Sequence, residues 1–290
     1  MAQSHVNGSK KDDLAAYIQT LPERNMEPLW LKMNAMVPPK PNPKAVPYIW
    51  KYSESLPLLT KAAEIVPAEE TERRVLMLVN PTLGGLQIVK PGETAPAHRH
   101  PTFAARFIIS GEGFTAVERK KMPLRRGYVI LTPSWHWHDH GNESDGPVVW
   151  LDALNLPLFR YAPVNYAELY GESRYPSTPC EDCEWRHPWK QVEASLLAQK
   201  KPHAIYHYSS KGRPLSTSIG AQAERIDGHH STTQSQESCS FMYHCYEGEG
   251  CTEIETPSGT AETINWVSRD TFVVPAGSTV RHINTSAERA

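Results

Sequence analysis

Two stretches of this 290-residue chain carry the same arrangement of turn and imidazole residues, and this duplication limits the fold more than any other feature. Gly111-Glu112-Gly113-Phe114-Thr115 recurs as Gly248-Glu249-Gly250-Cys251-Thr252, and Pro133, His140 and Asn142 recur as Pro275, His282 and Asn284 at identical offsets. Glycine turns repeat by chance, but matched offsets do not come cheaply, so the chain is read as one small barrel built twice.

From Arg74 onward the hydrophobic pattern has period two, interrupted by turn residues about every ten positions, as in sandwiches and barrels of short strands. Val75 to Val79, Leu86 to Val89, Arg106 to Ile109, Tyr128 to Leu131 and Val148 to Leu151 are expected as strands. Pro91-Gly92, Gly111 to Gly113 and Asn142 to Gly146 are expected as their turns. The 25 prolines and 17 glycines fit such a fold better than a helical bundle.

The residues ahead of this block read differently. Leu14, Tyr17, Ile18 and Leu21 fall at helical spacing after Asp12 and Asp13, and Pro22 stops the run. Prolines 38, 39, 41, 43 and 47 exclude helix and inner strand, and Ser55 with Pro57 is expected to open a second short helix through Leu58, Leu59, Ala62, Ala63 and Ile65. The expected division is an arm over 1–73, a first barrel over 74–157, a connector over 158–204 and a second barrel over 205–290. Where the first repeat continues from Asn142 through Val148 to Leu151, the second has only Thr285 to Ala290 after Asn284, so the second barrel is expected to lack its closing strand and to leave an open or substituted edge.

Composition removes several function classes. A net charge of -2 without a long basic run leaves no nucleic-acid footprint. Val75 to Val79 is far too short an apolar run to span a bilayer, and Met1 to Lys11 is polar with no hydrophobic leader, which predicts a cytoplasmic protein. Five cysteines, an odd number, make no disulfide framework, and Cys180 and Cys183 with His187 lack the second pair that a structural zinc site needs.

The chemistry-bearing residues are histidines. His98-Arg99-His100 follows a Pro-Gly turn, and residues two apart in an extended chain share a face, so both imidazoles can enter one barrel. In Trp135-His136-Trp137-His138-Asp139-His140, three histidines share one face and two tryptophans the other. A lone histidine is usually a hydrogen-bonded core or surface residue, but two alternating clusters in one barrel point to a metal, and imidazole suits zinc, copper, iron or nickel.

At these residues the chain resembles a cupin. Gly92, His98, His100 and Gly111 match the first cupin motif, and Gly127, Pro133, His138 and Asn142 match the second. The resemblance implies an all-β, double-stranded β-helix (the cupin or jelly-roll fold), duplicated as a bicupin behind an N-terminal helical and irregular arm. It also selects His138 over His136 and His140 as the third ligand. Many cupins add a glutamate ligand four or five residues after the second histidine; Ala104 and Ala105 stand there, which leaves a three-histidine site.

Pro96 to His100, Ala105 to Phe107, Gly111 to Gly113 and Leu131 to Asn142, with Glu72 to Leu76 and Trp150 to Asp152, closely resemble gentisate 1,2-dioxygenases. Salicylate and 1-hydroxy-2-naphthoate dioxygenases are near relatives of that family. The resemblance implies an Fe(II) enzyme of aromatic compound catabolism, with a small aromatic acid and O2 as its substrates. The ring would open between the carboxyl- and hydroxyl-bearing carbons, and the protein would be a homo-oligomer, a tetramer in many relatives. Three neutral imidazoles leave a divalent ion its full charge, which favours an anionic, chelating substrate.

Arg106 lies six residues after His100 and shares its inward parity, and its guanidinium matches a carboxylate in a bidentate fork. His140 is a candidate to hydrogen-bond the substrate phenolate or move its proton. Asp139 or Asn142 could orient the ligands from behind. Phe103, Phe107, Trp135 and Trp137 are candidates for an aromatic pocket, against the plainer role of core filling, and His136 is placed at the rim. Arg73 and Arg74 are weaker candidates to attract an acid. In the second repeat His98, His100, His138 and Arg106 correspond to Ser235, Glu237, Val280 and Tyr243, so that barrel is expected to be metal-free and structural, and His229-His230 lies out of register. Two alternatives stay open: a salicylate- or hydroxynaphthoate-type dioxygenase of secondary metabolism, and a non-catalytic bicupin binding protein.

Overall fold

The computed structural model describes residues 8–67, 71, 74–80 and 83–290, without the side chains of residues 8, 9 and 83. The opening residues 1–7, Glu72 and Arg73 lie outside the described residues. The chain divides after Asn42 into two units. In the first, α1 (Gly8–Thr20) ends where Pro22 forces a short tight turn, and α2 (Leu29–Met36) follows.

The second unit opens with β1 (Tyr48–Trp50) and α3 (Tyr52–Ile65). This helix starts earlier than Ser55 and Pro57 predict, because buried Asp270 supplies a cap from far along the chain. Its Oδ1 accepts the Tyr52 N–H at 2.8 Å, and its Oδ2 pairs with Lys51 at 2.9 Å. Pro57 then falls in the second turn. At the other end Arg74 donates to the carbonyls of Ala63 and Val66 at 3.0 and 3.4 Å and ion-pairs with Glu93, which ties the helix C-terminus to the first barrel.

The first barrel is built from β2 (Val75–Val79), β3 (Leu83–Val89), β4 (Thr94–Arg99), β5 (Ala104–Ser110), β6 (Gly113–Val117), β7 (Lys120–Leu124), β8 (Val129–Thr132), β9 (His138–Gly141) and β10 (Val148–Leu154). All five strands expected from alternation are present. A short α4 (Leu156–Tyr161) leads into the connector, which carries β11 (Glu168–Leu169), β12 (Thr178–Pro179), β13 (Arg186–His187) and α5 (Trp189–Ala198). Two six-stranded sheets, ordered β13-β8-β5-β10-β3-β2 and β11-β4-β9-β6-β7-β12, enclose the interior. Val89, Ile108, Val117, Met122, Leu124, Ile130, Val148 and Trp150 fill its closed part. Leu86 and Ile88 point the other way, under Leu59 and Ala63 of α3. These strands are apolar on both parities because both faces are covered.

The second barrel contains β14 (His203–His207), β15 (Ser209–Ser210), β16 (Arg213–Pro214), β17 (Gln222–Ile226), β18 (Ser235–Gln236), β19 (Phe241–His244), β20 (Glu249–Glu255), β21 (Ala261–Val267), β22 (Thr271–Val274) and β23 (Thr279–Asn284). The arm strand β1 pairs with β22, so residues 48–50 complete a sheet of the second barrel. Duplication reaches single hydrogen bonds. Asn142 donates to Val89 O and Gly146 O and accepts from Ser144; Asn284 donates to Ile226 O and Glu288 O and accepts from Ser286. After β23, Ala290 exchanges both backbone hydrogen bonds with Ile226, the register position that Val148 holds opposite Val89.

A cavity of about 1110 Å³ runs between Phe107, Val129 and Leu151 on the outer face of the first barrel and Tyr243, Phe272 and His282 of the second. His244 borders it, 5.0 Å from the Phe107 ring and 3.0 Å from Thr271 Oγ1. Burial, with help from Arg126, pulls the His244 pKa down to about 3 from 6.5. The unfolded chain therefore binds this proton more readily than the native one, and folding stability is lost as pH falls from 6.5 toward 3. Replacing His244 by Asn should flatten the pH dependence of the urea midpoint across that window; an unchanged slope would show that His244 is not held neutral.

Candidate metal centre

Three imidazoles meet inside the first barrel because two strands and one turn present them at matching parity. His98, on β4, faces His138, the first residue of β9, as a direct cross-strand pair. His100 follows two residues beyond His98, so it returns to the same side while Arg99 points away. The ring centres lie 4.2 Å (His98 to His138), 4.8 Å (His100 to His138) and 5.4 Å (His98 to His100) apart.

Each ring is oriented by a neighbouring carbonyl. His98 Nδ1 lies 2.7 Å from Pro96 O, His100 Nδ1 2.9 Å from Thr102 O, and His138 Nδ1 2.8 Å from His136 O. A carbonyl only accepts, so each Nδ1 carries the proton and each Nε2 presents a lone pair, the tautomer a metal ligand requires. The ligand atoms lie within 4.8 Å of one another, and all three residues are buried. Two nitrogens bound about 2.1 Å from one ion stand roughly 3–4 Å apart, so rings this close can grip a single cation after shifts of about an ångström or less. Among the described residues no hydrogen-bond partner reaches buried His138 Nε2, and no carboxylate joins the cluster. The His138 pKa is held well below 6.5 by burial and then by the repulsion a protonated ring would meet from His98, Arg106 and His100. A neutral ring at physiological pH is ready to donate its lone pair.

The interior also gathers polar groups beside the triad. Arg106, on β5, points inward and is fully buried; its Nε pairs with Asp152 Oδ1 at 2.9 Å and its Nη1 donates to Thr132 Oγ1. Burial pulls the Arg106 pKa down and Asp152 pulls it back up. Trp150 Nε1 donates to Asp152 Oδ2 at 2.9 Å. His140 sits two residues beyond His138 on the inward face, with Nδ1 2.8 Å from Thr115 Oγ1 and its ring against Trp150. Gln87, opposite Trp150 on β3, is buried, and its Nε2 meets no hydrogen-bond partner among the described residues. Gln87, Thr115, Thr132, Trp150 and Asp152 carry no role in the sequence analysis. Their signal was parity: each is polar or aromatic at an inward strand position.

The remaining candidates stand elsewhere. Phe103 and Phe107 have the outward parity of β5; Phe103 packs among Val192, Leu196 and Tyr208, and Phe107 packs against His244 and Tyr246. Trp135 and Trp137 flank Arg99 on the outer face of β4, and His136 lies 5.4 Å from Trp185. Asp139 also points outward. It accepts from Tyr175 N at 3.0 Å and faces Arg174, and its burial raises its pKa. Asn142 braces the turn after β9. Ser235 faces Val280 in the second barrel, the register in which His98 faces His138 in the first. Among the described residues no helix is long and apolar enough to cross a membrane.

The chain is similar to several known proteins. Residues 85–154 match the cupin domain family. The chain is 37% identical over 233 residues to a gentisate 1,2-dioxygenase of a Ralstonia species; the match covers 68% of this chain and 65%, just under two thirds, of that one. It is 29% identical to gentisate 1,2-dioxygenase 1 of Aquipseudomonas alcaligenes, over 92% of this chain and 88% of the relative. Among solved structures, the salicylate 1,2-dioxygenase of Pseudoaminobacter salicylatoxidans in its adducts with gentisate is similar, at a TM-score of 0.83 and 26% identity. That likeness covers 100% of this chain and 90% of the other.

Replacing any one of His98, His100 or His138 by Ala should abolish stoichiometric binding of a divalent metal, read by isothermal titration. The circular dichroism spectrum should stay unchanged, because the second barrel forms the same strand pairing with Ser235 and Val280 in the places of His98 and His138. A variant that keeps full metal stoichiometry would remove that residue from the ligand set.

Proposed function

Because this chain belongs to the bicupin dioxygenase family that includes the gentisate 1,2-dioxygenases, we propose that it opens the ring of gentisate or a similar hydroxybenzoate with O2, using Fe(II) held by His98, His100 and His138. The observation that carries the proposal is a buried, carboxylate-free imidazole triad sharing its barrel interior with an inward arginine. When bound, iron supplies the redox chemistry that O2 requires.

The chain's own residues bind and orient the acid. Asp152 and Thr132 engage Nε and Nη1 of Arg106, which leaves Nη2 as the donor for a substrate carboxylate. The ion pair with Asp152 keeps the guanidinium flat and fixed, so little side-chain entropy is lost when the acid arrives. Thr115 holds Nδ1 of His140, and Nε2 is the atom with which that ring would meet the substrate phenolate. Gln87 Nε2 is a further buried donor on the same wall. Trp150 backs both Asp152 and His140 and keeps that side of the interior apolar.

In this proposal the first barrel, 74–157, carries the chemistry and the second, 205–290, is a packing module. The tetramer implied by the resemblance belongs to the same proposal; light scattering that returned a single chain mass would refute it.

Anaerobic loading with Fe(II), followed by gentisate and air, should give O2 uptake with the absorbance of a ring-opened product. Uptake with salicylate or a hydroxynaphthoate but none with gentisate would favour the substrate alternative, and no uptake across a panel of phenolic acids would refute the activity. Arg106→Lys keeps the charge but loses the fork. It should raise KM by at least about tenfold, with iron content retained, a loss of roughly 1.4 kcal/mol in binding. An unchanged KM would take Arg106 out of substrate binding. Arg106→Ala is a poorer test, because it also removes a buried charge from beside Asp152 and so perturbs stability together with binding.

A further inference from the structure

Arg99 lies between two of the ligands in sequence but points out of the barrel, into a cage of aromatic rings. Its guanidinium carbon lies 4.6 Å from the Trp135 ring centre and 4.5 Å from that of Trp137. On its edge, Nε and Nη2 both reach Glu168 Oε2, at 2.7 and 2.6 Å. One cation is thus held between the two tryptophans that lead into His138 and is pinned by a carboxylate of the connector.

The backbone around the cage is bound to the same two ligand-bearing segments. Glu168 and Leu169 of β11 pair with Arg99 and His98 of β4. Tyr170 N donates to Ala97 O at 3.0 Å, and Ala97 N donates to Ser173 O at 3.1 Å. Trp135 N donates to His100 O at 2.8 Å, which joins the turn before β9 directly to the second ligand. Tyr166 packs 5.0 Å from Trp135, and Tyr170 packs 5.3 Å from Trp137. Trp135 itself has φ 62, a left-handed conformation that a bulky side chain holds only where its surroundings over-determine it.

We infer that Arg99 is a positioning residue for the triad: the Trp135–Arg99–Trp137 sandwich, locked by Glu168, sets the spacing between the strand that carries His98 and His100 and the turn that delivers His138. The imidazoles then stand converged before an ion arrives, and binding does not have to order them. Arginine suits the position because its planar group can stack on rings through both faces while its edge pairs with a carboxylate, which an ammonium cannot do. The inference rests on the reading that the triad holds a divalent metal, and it does not depend on which substrate the enzyme takes.

Co(II) is the probe, since its visible absorption reports the ligand set and its affinity can be titrated on the metal-free full-length protein. Wild type should bind one Co(II). Arg99→Met should bind it about 10–100-fold more weakly, with the circular dichroism spectrum and thermal midpoint of the metal-free protein nearly unchanged. Glu168→Gln should show a smaller loss in the same direction, and Arg99→Lys should recover part of the affinity through its cation alone. Wild-type affinity in both Arg99→Met and Glu168→Gln would overturn the inference. So would an Arg99→Met chain that fails to fold while Glu168→Gln binds like wild type, whereas weakened binding in folded Glu168→Gln would sustain it even then. No Co(II) binding by wild type would instead sink the metal reading and, with it, anything to be positioned.

Discussion

The site depends on keeping three imidazoles together, uncharged and out of water. Burial alone would favour neutral rings, but it would not choose the nitrogen that holds the proton. Carbonyls two residues away make that choice, at Pro96, Thr102 and His136, and in each case the strand or turn that delivers the ring also supplies its acceptor. The adjoining charges cancel one another, since Arg106 and Asp152 are paired. Among the described residues, a dication entering this interior would find the lone pairs of the triad and no carboxylate in the ligand cluster. That imbalance is the physical reason an anionic chelating substrate suits the site.

Much of this was legible in the residues. Alternation in His98-Arg99-His100 and in the segment ending at His140 put the rings on one face, and the count from His100 put Arg106 on the same side. The duplicated offsets foretold two barrels of one kind. Parity also held information that the aromatic residues obscured. Trp135, Trp137 and Asp139 alternate with the histidines, and Phe103 and Phe107 alternate with Arg106, so an inward ligand set sends all five outward. By the same rule Gln87, Trp150 and Asp152 turn inward. What alternation could not reveal is the use of the connector. The pairing of β11 with β4 and the seating of Tyr175 on Asp139 depend on which irregular segment passes over which strand, and no local pattern encodes that. The early start of α3 has the same origin, since its cap, Asp270, lies more than two hundred residues downstream.

The second barrel separates what the fold requires from what the metal site requires. It repeats the asparagine that braces the turn, and it repeats the threonine–histidine pair, with Thr252 Oγ1 2.8 Å from His282 Nδ1 as Thr115 is from His140. It does not repeat the ligands: Ser235 and Val280 stand opposite each other where His98 and His138 do in the first barrel. A barrel of this kind therefore keeps its shape without the triad. The three histidines answer to the ion, and the surrounding asparagine and threonine answer to the scaffold.

The central claim is that one divalent iron sits among these three side chains. Diffraction at the iron absorption edge, from crystals of anaerobically loaded protein, tests it most directly. The account predicts a single anomalous peak within bonding distance of Nε2 of His98, His100 and His138, with no carboxylate in contact. A peak at any other position in the chain, or a fully loaded protein with no peak inside the first barrel, would contradict it.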